Sequence, residues 1–524
     1  MALSTNQVAG LSSGFDWRSM IDQLIAVEHR RIDLVSAKKT DSEKKLTEWQ
    51  SLNTKLLALK TAAGNLKDGS DFGLFKASLS SSSATVKASD LLNVTPSSTA
   101  SIGSYTLKVN SLAAAQKLSS GSFGAVATAL GADYSGDLLI NGKVISIAST
   151  DTLAGVRDKI NNANSGANPT GVTASIISYG SRDYRLILTS DDTGAAGIGL
   201  LNGGASDILN LFGFTDTSRT AKNHLAGGDR TDRFSSTSLS IKSLLGLTTT
   251  QTSGIGDIVI NGQAIGAIDL STDTLSTLQT KLAAAGLTAS ITTEVENNQT
   301  YYRLMVAGSA NTYTDKNNIL ETLGLIRAGV SDVAGVMGDV ANTSSGSVIT
   351  ASTLIKDIDG YTGYLNTDYI HLEGTDTNGN PVTDNTLILS DTSTVGDLLD
   401  KIESRFGDVT ASVTGEGKII VTDNTPGASP LAVTISIKNA GGADDATLKF
   451  DTDGSLAGAT RKRQIVAGAD ASVTVDDVTV TRSTKTITDL IGGVTIDLLK
   501  ADTETTVTVN IGRDIDALMT KINS

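Results

Sequence analysis

Five short patterns in the chain have residue types that could do chemistry. Gly10-Leu11-Ser12-Ser13-Gly14 has the Gly-x-Ser-x-Gly spacing of a serine nucleophile elbow. That chemistry needs a strand before the serine, a helix after it, and a histidine and an acid in space. A leader this short has no room for the strand, so a catalytic serine is not expected. The three histidines, His29, His224 and His371, stand far apart, none paired at metal-ligand spacing. A zinc or iron site is therefore not expected. Asp376-Thr377-Asn378-Gly379-Asn380 begins like a calcium loop, but Pro381 stands where glycine is required and Leu387 where a bidentate glutamate is required. A solvated β-turn is the better reading. Arg461-Lys462-Arg463 lacks nearby aromatics for nucleic-acid stacking and reads as a charged linker between lobes. Gly194-Ala195-Ala196-Gly197 fits neither a Walker loop nor a dinucleotide fingerprint. No catalytic, cofactor-binding or metal residues are expected, no cofactor is called for, and the chain is not read as an enzyme.

Composition points the same way. The chain has 524 residues with no cysteine, so disulfides, thiolate metal sites and thiol nucleophiles are excluded. A net charge of -14 disfavours a phosphate backbone, and nucleic acid is not expected as a partner. No apolar run approaches the ~20 residues of a bilayer span, so membrane insertion is not expected either. The start lacks the charged and apolar regions of a general secretory signal, so if the protein leaves the cell another route is expected to take it out. At 39% hydrophobic but only 4% aromatic, the composition suits about three or four small domains better than one thick core.

The elements that carry these residues fall into two textures. From Asp16 to Lys67 there is no proline and one glycine, Gly64. Asp16 can cap a helix, and Ile21, Ile25, Ile32, Val35, Leu46, Trp49, Leu52, Leu56, Leu59, Ala63 and Leu66 follow at spacings of three and four. This heptad-like seam suits a partner helix, although Glu28, Lys39 and Ser42 weaken its middle. An intramolecular helical core is an equal reading from Leu46 onward. After Phe72, Ser, Thr, Gly and Val alternate in short strands; Tyr105, Leu107 and Val109 face one side of one of them.

A repeat runs through this second part. Ile140-Asn141-Gly142-Lys143 predicts a type I′ hairpin, and Asp151-Thr152-Leu153 a helix capped by Asp or Thr, with Leu153, Val156 and Ile160 on one face. Val172-Thr173-Ala174-Ser175-Ile176 and Tyr184-Arg185-Leu186-Ile187-Leu188 predict two strands. The order returns as Ile260-Asn261-Gly262-Gln263, Asp273-Thr274-Leu275, Leu287-Thr288-Ala289-Ser290-Ile291 and Tyr302-Arg303-Leu304-Met305-Val306. A looser third copy has a long hairpin loop at Asn378-Gly379-Asn380, then Ser393-Thr394-Val395, Val409-Thr410-Ala411-Ser412-Val413 and Lys418-Ile419-Ile420-Val421. Near the end, Asp476-Asp477 predicts another tight turn, and Ile515, Leu518, Met519 and Ile522 begin an amphipathic helix with no stop signal after it. A C-terminal truncation is expected from that.

The fold class expected is therefore multidomain α+β: an N-terminal helical, coiled-coil leg, then a β-rich head of repeated hairpin–helix–hairpin lobes. The division expected is 1–70 for the leg, 71–135 with 441–524 for a β-rich head base, and 136–215, 250–330 and 350–440 for the three lobes.

Leu11-Ser12-Ser13-Gly14-Phe15-Asp16 and the helix after it are similar to the start of bacterial flagellar filament capping proteins, the hook-associated protein 2 family. Gly103-Ser104-Tyr105-Thr106-Leu107-Lys108-Val109 with Leu112-Ala113 resembles that family's first head strand, and Gly468-Ala469-Asp470-Ala471 through Gly492-Gly493-Val494-Thr495 the start of its C-terminal region. The Ile-Asn-Gly … Asp-Thr-Leu … Thr-Ala-Ser-Ile pattern resembles a module of flagellins, hook-associated proteins and caps. In the family, long C-terminal helices pair with the N-terminal one as legs; here Ser524 stands where they would begin.

The resemblance implies a plate of about five copies of the chain at the filament tip, under which exported flagellin folds and inserts without being lost. It also implies passage through the flagellar type III apparatus, hence a secreted protein of the bacterial flagellum. Partners implied are flagellin, hook–filament junction proteins and an export chaperone. Anchoring would fall to Ile21, Ile25, Ile32, Val35, Leu46, Trp49 and Leu56. Two other readings are another flagellar axial or junction protein, and an adhesin whose outer lobes bind host glycans.

Overall fold

The computed structural model describes residues 16–64, 73–180, 183–426 and 429–523. They form two compact units, one drawn from 1–108, 486–497 and 504–524, the other from 109–485 and 498–503. A long helix opens the chain and a β-rich region of many small sheets follows it.

In the first unit the helix runs Trp17–Gly64, 48 residues, or about 72 Å at 1.5 Å per residue. Asp16 starts it, its Oδ1 accepting from the Arg18 and Ser19 amides at 3.2 and 3.1 Å. The early strand Phe75–Ser81 pairs antiparallel with the late strand Val507–Arg513, from Phe75 opposite Arg513 to Ser81 opposite Val507. Gly103–Ser111 pairs along the other side of that late strand. Leu107, Val507, Val509 and Ile511 are buried, as strand alternation requires. A second small sheet places Val494–Leu498 between Leu92–Pro96 and Thr486–Ile491.

In the second unit the same construction appears three times. The hairpin Gly136–Ile140/Lys143–Ile147 turns at Asn141 and Gly142, with φ of 48° and 81°. Ile258–Ile260/Gln263–Ala264 turns at Asn261 and Gly262, with φ of 53° and 78°. These are the positive-φ pairs a type I′ turn demands. In the third copy, Tyr369–Thr375 and Pro381–Ile388 are joined by a loop in which Asp376 Oδ1 accepts from the Asn378 and Asn380 amides at 2.9 and 2.8 Å. That is the β-turn expected there.

The helices Leu153–Ala163, Leu275–Ala284 and Val395–Glu403 are each capped by threonine: Thr152, Thr274 and Thr394 accept from the third amide of the helix. The preceding acid has a different task. Asp151 accepts from the Ala148 amide at 2.7 Å and holds the Lys159 ammonium. Burial pushes the Asp151 carboxyl up, but Lys159 and the Ala148 amide together hold it below the usual carboxylate range. Asp273 repeats the device with the Asp269 amide at 2.8 Å and Lys281 Nζ at 2.6 Å. In the third copy Ser393 replaces the acid and accepts from the Ser390 amide at 2.9 Å.

Each helix also takes hold of the strand that carries the Thr-Ala-Ser triplet, the outermost strand of its sheet. Asn161 accepts from the Ala174 amide at 2.8 Å and donates to its carbonyl at 2.9 Å. Gln279 donates to the Ala289 carbonyl at 3.2 Å, and Glu403 accepts from the Ala411 amide at 3.0 Å. Beneath lie three cores, centred on Leu153, Val156 and Ile160, on Leu275, Leu278 and Leu282, and on Leu398, Leu399 and Ile402.

Polar groups join these cores. Between the first and second, buried Glu321 accepts from Asn202 N at 2.9 Å and Nδ2 at 3.1 Å, and Thr322 Oγ1 donates to the Asn202 carbonyl at 2.6 Å. Burial pushes Glu321 up to about 7, against the pull of the Asn202 amide and the Arg219 charge. Between the first and third, Asp183, fully buried, accepts from Arg185 Nε and Arg461 Nη1, both at 2.7 Å.

A carboxyl whose folded pKa lies above its unfolded one favours folding while protonated. That contribution is present below about 4.5 and is lost as pH rises through about 7. Glu321→Gln keeps the shape without the charge. Urea unfolding across pH 5–8 should find the variant gaining on the wild type as pH rises, by on the order of 2 kcal/mol. A difference that stays flat with pH would contradict this.

Candidate functional site

No side chain of the long helix is buried within its unit. All seven seam residues lie on it and face solvent, from 50% exposed at Ile25 to 68% at Trp49, with Ile21, Ile32, Val35, Leu46 and Leu56 between. So many large apolar side chains exposed on one helix exceed the single scattered residues of an ordinary surface. Among the described residues nothing covers Leu46, Trp49, Leu52, Leu56 or Leu59, which are all exposed.

The seam is not a straight line. A seven-residue repeat drifts about 20° per heptad on a straight helix, so Ile21 and Leu56 point about 100° apart. A supercoiling partner would cancel that drift. Trp17, Met20, Leu24, Val27 and Leu34 are exposed as well and were not assigned to the seam. Met20, Leu24, Val27 and Leu34 form a second line at spacings of four, three and seven, with Arg31 at the missing step. The first half of the helix therefore has a face broad enough for two neighbours, which counting a single line of apolar residues overlooked.

Ten residues, 36–45, separate the two apolar halves, and among them only Ala37 is apolar. Lys39 and Glu43 pair there at 3.8 Å, both well exposed, and such a pair contributes at most about 0.5 kcal/mol. The Ser42, Thr47, Thr54 and Thr61 hydroxyls donate back to carbonyls four residues earlier, so they need no partner. In the same unit the helix Ile515–Asn523 also exposes Ile515 and Met519.

The other candidate residues are scattered. His29 is exposed on the long helix. His224 Nδ1 lies 2.6 Å from Asp229 and His371 Nε2 lies 2.9 Å from Glu373. Among the described residues no group of three or more His, Asp or Glu is placed to hold a metal ion. Among them, too, no helix is long and apolar enough to cross a membrane. The Gly10–Gly14 motif and Leu66 lie outside the described residues.

The basic triplet is not the charged linker expected. Extended chain sends alternate side chains to opposite sides. Arg461 reaches Asp183 and Ser412, Lys462 is exposed, and Arg463 is buried.

Residues 13–116 match the model of the flagellar hook-associated protein 2 N-terminus, and 468–524 that of its C-terminus. Both ends of the chain are thus similar to the corresponding ends of flagellar hook-associated protein 2. Residues 133–192, the first of the repeated lobes, match the flagellin hook IN motif. Flagellar hook-associated protein 2 of Escherichia coli K12 is 32% identical over 221 residues, 40% of this chain and 44% of that protein. The Xenorhabdus nematophila protein is 30% identical over 202 residues, 36% and 39% respectively. The matches thus span less than half the length of these relatives. The crystal structure of the flagellar cap protein D1-D2-D3 domains from Escherichia coli aligns with 90% of this chain and 64% of its own, at 16% identity and a TM-score of 0.33. The Helicobacter pylori cap protein aligns at 14% and 0.23, over 78% and 96%.

The exposure of the seam can be read directly. Both of its tryptophans, Trp17 and Trp49, lie on the long helix. In dilute monomer their fluorescence should be red-shifted and readily quenched by acrylamide. As concentration drives self-association it should shift to the blue and resist quenching. Shielded tryptophans in the dilute monomer would contradict the exposed seam.

Proposed function

We propose that this chain acts as a filament cap. On this reading several copies, about five, form a plate at the distal tip of the flagellum. Flagellin arriving through the type III export channel folds beneath the plate, inserts, and is not lost to the medium. Ile21, Ile25, Ile32, Val35, Leu46, Trp49 and Leu56 anchor the plate by packing against helices of neighbouring copies and of the last filament subunits. Contacts with hook–filament junction proteins when the cap is first seated, and with an export chaperone before secretion, belong to the same reading. Support comes above all from the 48-residue helix whose exposed apolar side chains lie within the segment that matches the N-terminal model.

The work asked of such a protein is mechanical. It needs contacts that form and release, and nothing in it requires a nucleophile or a metal. The lobes suit a rigid head and the helix a compliant leg. We also propose the division of labour along the chain: 1–70 as leg, 71–135 with 441–524 as head base, and 136–215, 250–330 and 350–440 as lobes.

Deleting the gene should leave cells with hooks but no filaments, shedding flagellin monomers into the medium. Complementation with Ile25→Glu plus Trp49→Glu should restore secretion of a folded chain but not filaments. Normal filaments in the deletion strain would overturn the cap reading. Normal filaments with the double variant would overturn only the seam.

A further inference from the structure

The chain has four Asn-Gly pairs: Asn141-Gly142, Asn202-Gly203, Asn261-Gly262 and Asn378-Gly379. Glycine after asparagine has a chemical consequence besides its turn geometry. With no side chain in the way, the glycine nitrogen can reach the asparagine carboxamide carbon wherever the backbone is free to turn. Hydrogen bonds decide where it is free.

Three of the pairs are held by segments distant in the sequence. The Asn141 carboxamide donates to the Thr170 carbonyl and accepts from the Gly199 amide, both at 2.7 Å, across 29 and 58 residues. The Asn261 carboxamide donates to Asn311 and accepts from the Thr312 amide, both at 2.8 Å, across 50 and 51 residues. Asn202 is fully buried, its side chain donating to Asp207 at 2.8 Å and accepting from the Leu209 amide at 3.0 Å. The Gly203 amide donates to the Asp137 carbonyl at 2.8 Å. Freeing any of these three carboxamides breaks tertiary contacts.

Asn378 and Gly379 are exposed at the loop of the third hairpin. The bonds that shape this turn are local. Asp376 Oδ1 accepts from the Asn378 and Asn380 amides, Oδ2 accepts from Asn380 Nδ2 at 3.1 Å, and the Asn378 side chain bonds the same carboxylate. Thr377 ties the loop to its neighbour through the Phe406 carbonyl at 3.1 Å and the Asp408 amide at 3.3 Å. The Gly379 amide donates to the Asp376 carbonyl at 3.0 Å and must leave it before it can attack. Opening one exposed turn is the least costly of local unfolding events.

We propose that Asn378 is a site of spontaneous deamidation and the first of the four pairs to react. The Gly379 nitrogen attacks Cγ of Asn378. An N–Cγ bond forms, the Cγ–Nδ2 bond breaks, and the Gly379 amide proton leaves with Nδ2 as ammonia. Water then opens the succinimide at either carbonyl, giving aspartate or isoaspartate, and nothing is oxidised or reduced. The new carboxylate stands beside Asp376, which the Asn380 amide and side chain hold below the usual carboxylate range and therefore ionised. Two like charges in one turn oppose its closing again. Nothing in this depends on the cap reading.

The full chain incubated in heavy-oxygen water at mildly alkaline pH, then mapped by tandem mass spectrometry, gives the rate of label uptake at each pair. The same chain unfolded in urea gives the rates without structure. Unfolded, all four should react at similar rates, since glycine follows each asparagine. Folded, Asn378 should react at least about tenfold faster than Asn141, Asn202 and Asn261. Asp376→Ala, its folding checked by circular dichroism, should raise the rate at Asn378 several-fold and leave the other three unchanged. Asn141 or Asn261 reacting as fast as Asn378 in the folded chain would overturn the proposal. So would slowing of Asn378 on folding to the same degree as the other three, or an unchanged rate there in a folded Asp376→Ala.

Discussion

In each lobe a polar side chain from the helix reaches across to the outermost strand and takes up the backbone of one alanine: Asn161 at Ala174, Gln279 at Ala289, Glu403 at Ala411. Lobes this thin depend on that contact. With aromatics at 4% of the chain, each core is little more than one layer of Leu, Ile and Val between a short helix and a small sheet. Such a sheet has an outer strand whose N–H and C=O groups would otherwise be open to pairing with another chain. Alanine lets the helix come close, and the amide or carboxylate above it occupies the edge. The helix thus covers the core and takes up part of one sheet edge.

Closing those edges bears on how the molecule can associate. A chain that meets copies of itself would be at risk of edge-to-edge pairing if its lobes were open. A net charge of -14 discourages nonspecific association of the lobes. The long helix is the opposite case, with large apolar residues exposed along most of its length. Its polar break at 36–45 divides that apolar surface into two parts without interrupting the helix.

Local rules made much of this legible. Asn141-Gly142 and Asn261-Gly262 announce their turns because few other residues adopt positive φ twice in succession. Of the two cap candidates at the first helix, geometry selects Thr152, and Asp151 is released to hold Lys159. That eight-residue spacing from acid to lysine recurs at Asp273 and Lys281 and could have been found by aligning the repeats. The seam was legible as a line of spacings, but its second line was not, because Met20, Leu24 and Val27 sit beside the first line and were not counted with it. Arg461 and Arg463 were misread for a different reason. Charge suggests solvent, and only tertiary structure supplies an Asp183 that is 278 residues away in sequence.

The same residues single out the first lobe as the one on which the others hang. It meets the second through Asn202, whose backbone and side chain are both engaged by Glu321 and Thr322. It meets the third through Asp183, held by Arg461 and Ser412. The two junctions use unlike physics. Glu321 sits so deep that burial keeps its proton near neutrality, so the first junction is close to a neutral hydrogen-bonded contact. Asp183 with its two arginines is an ion-paired contact whose cost of desolvation is offset by bonds to both carboxylate oxygens. A lobe gripped on two sides by contacts of different kinds is not loosened at both by one change of conditions. The lobe in that position contains the segment that matches the flagellin hook IN motif.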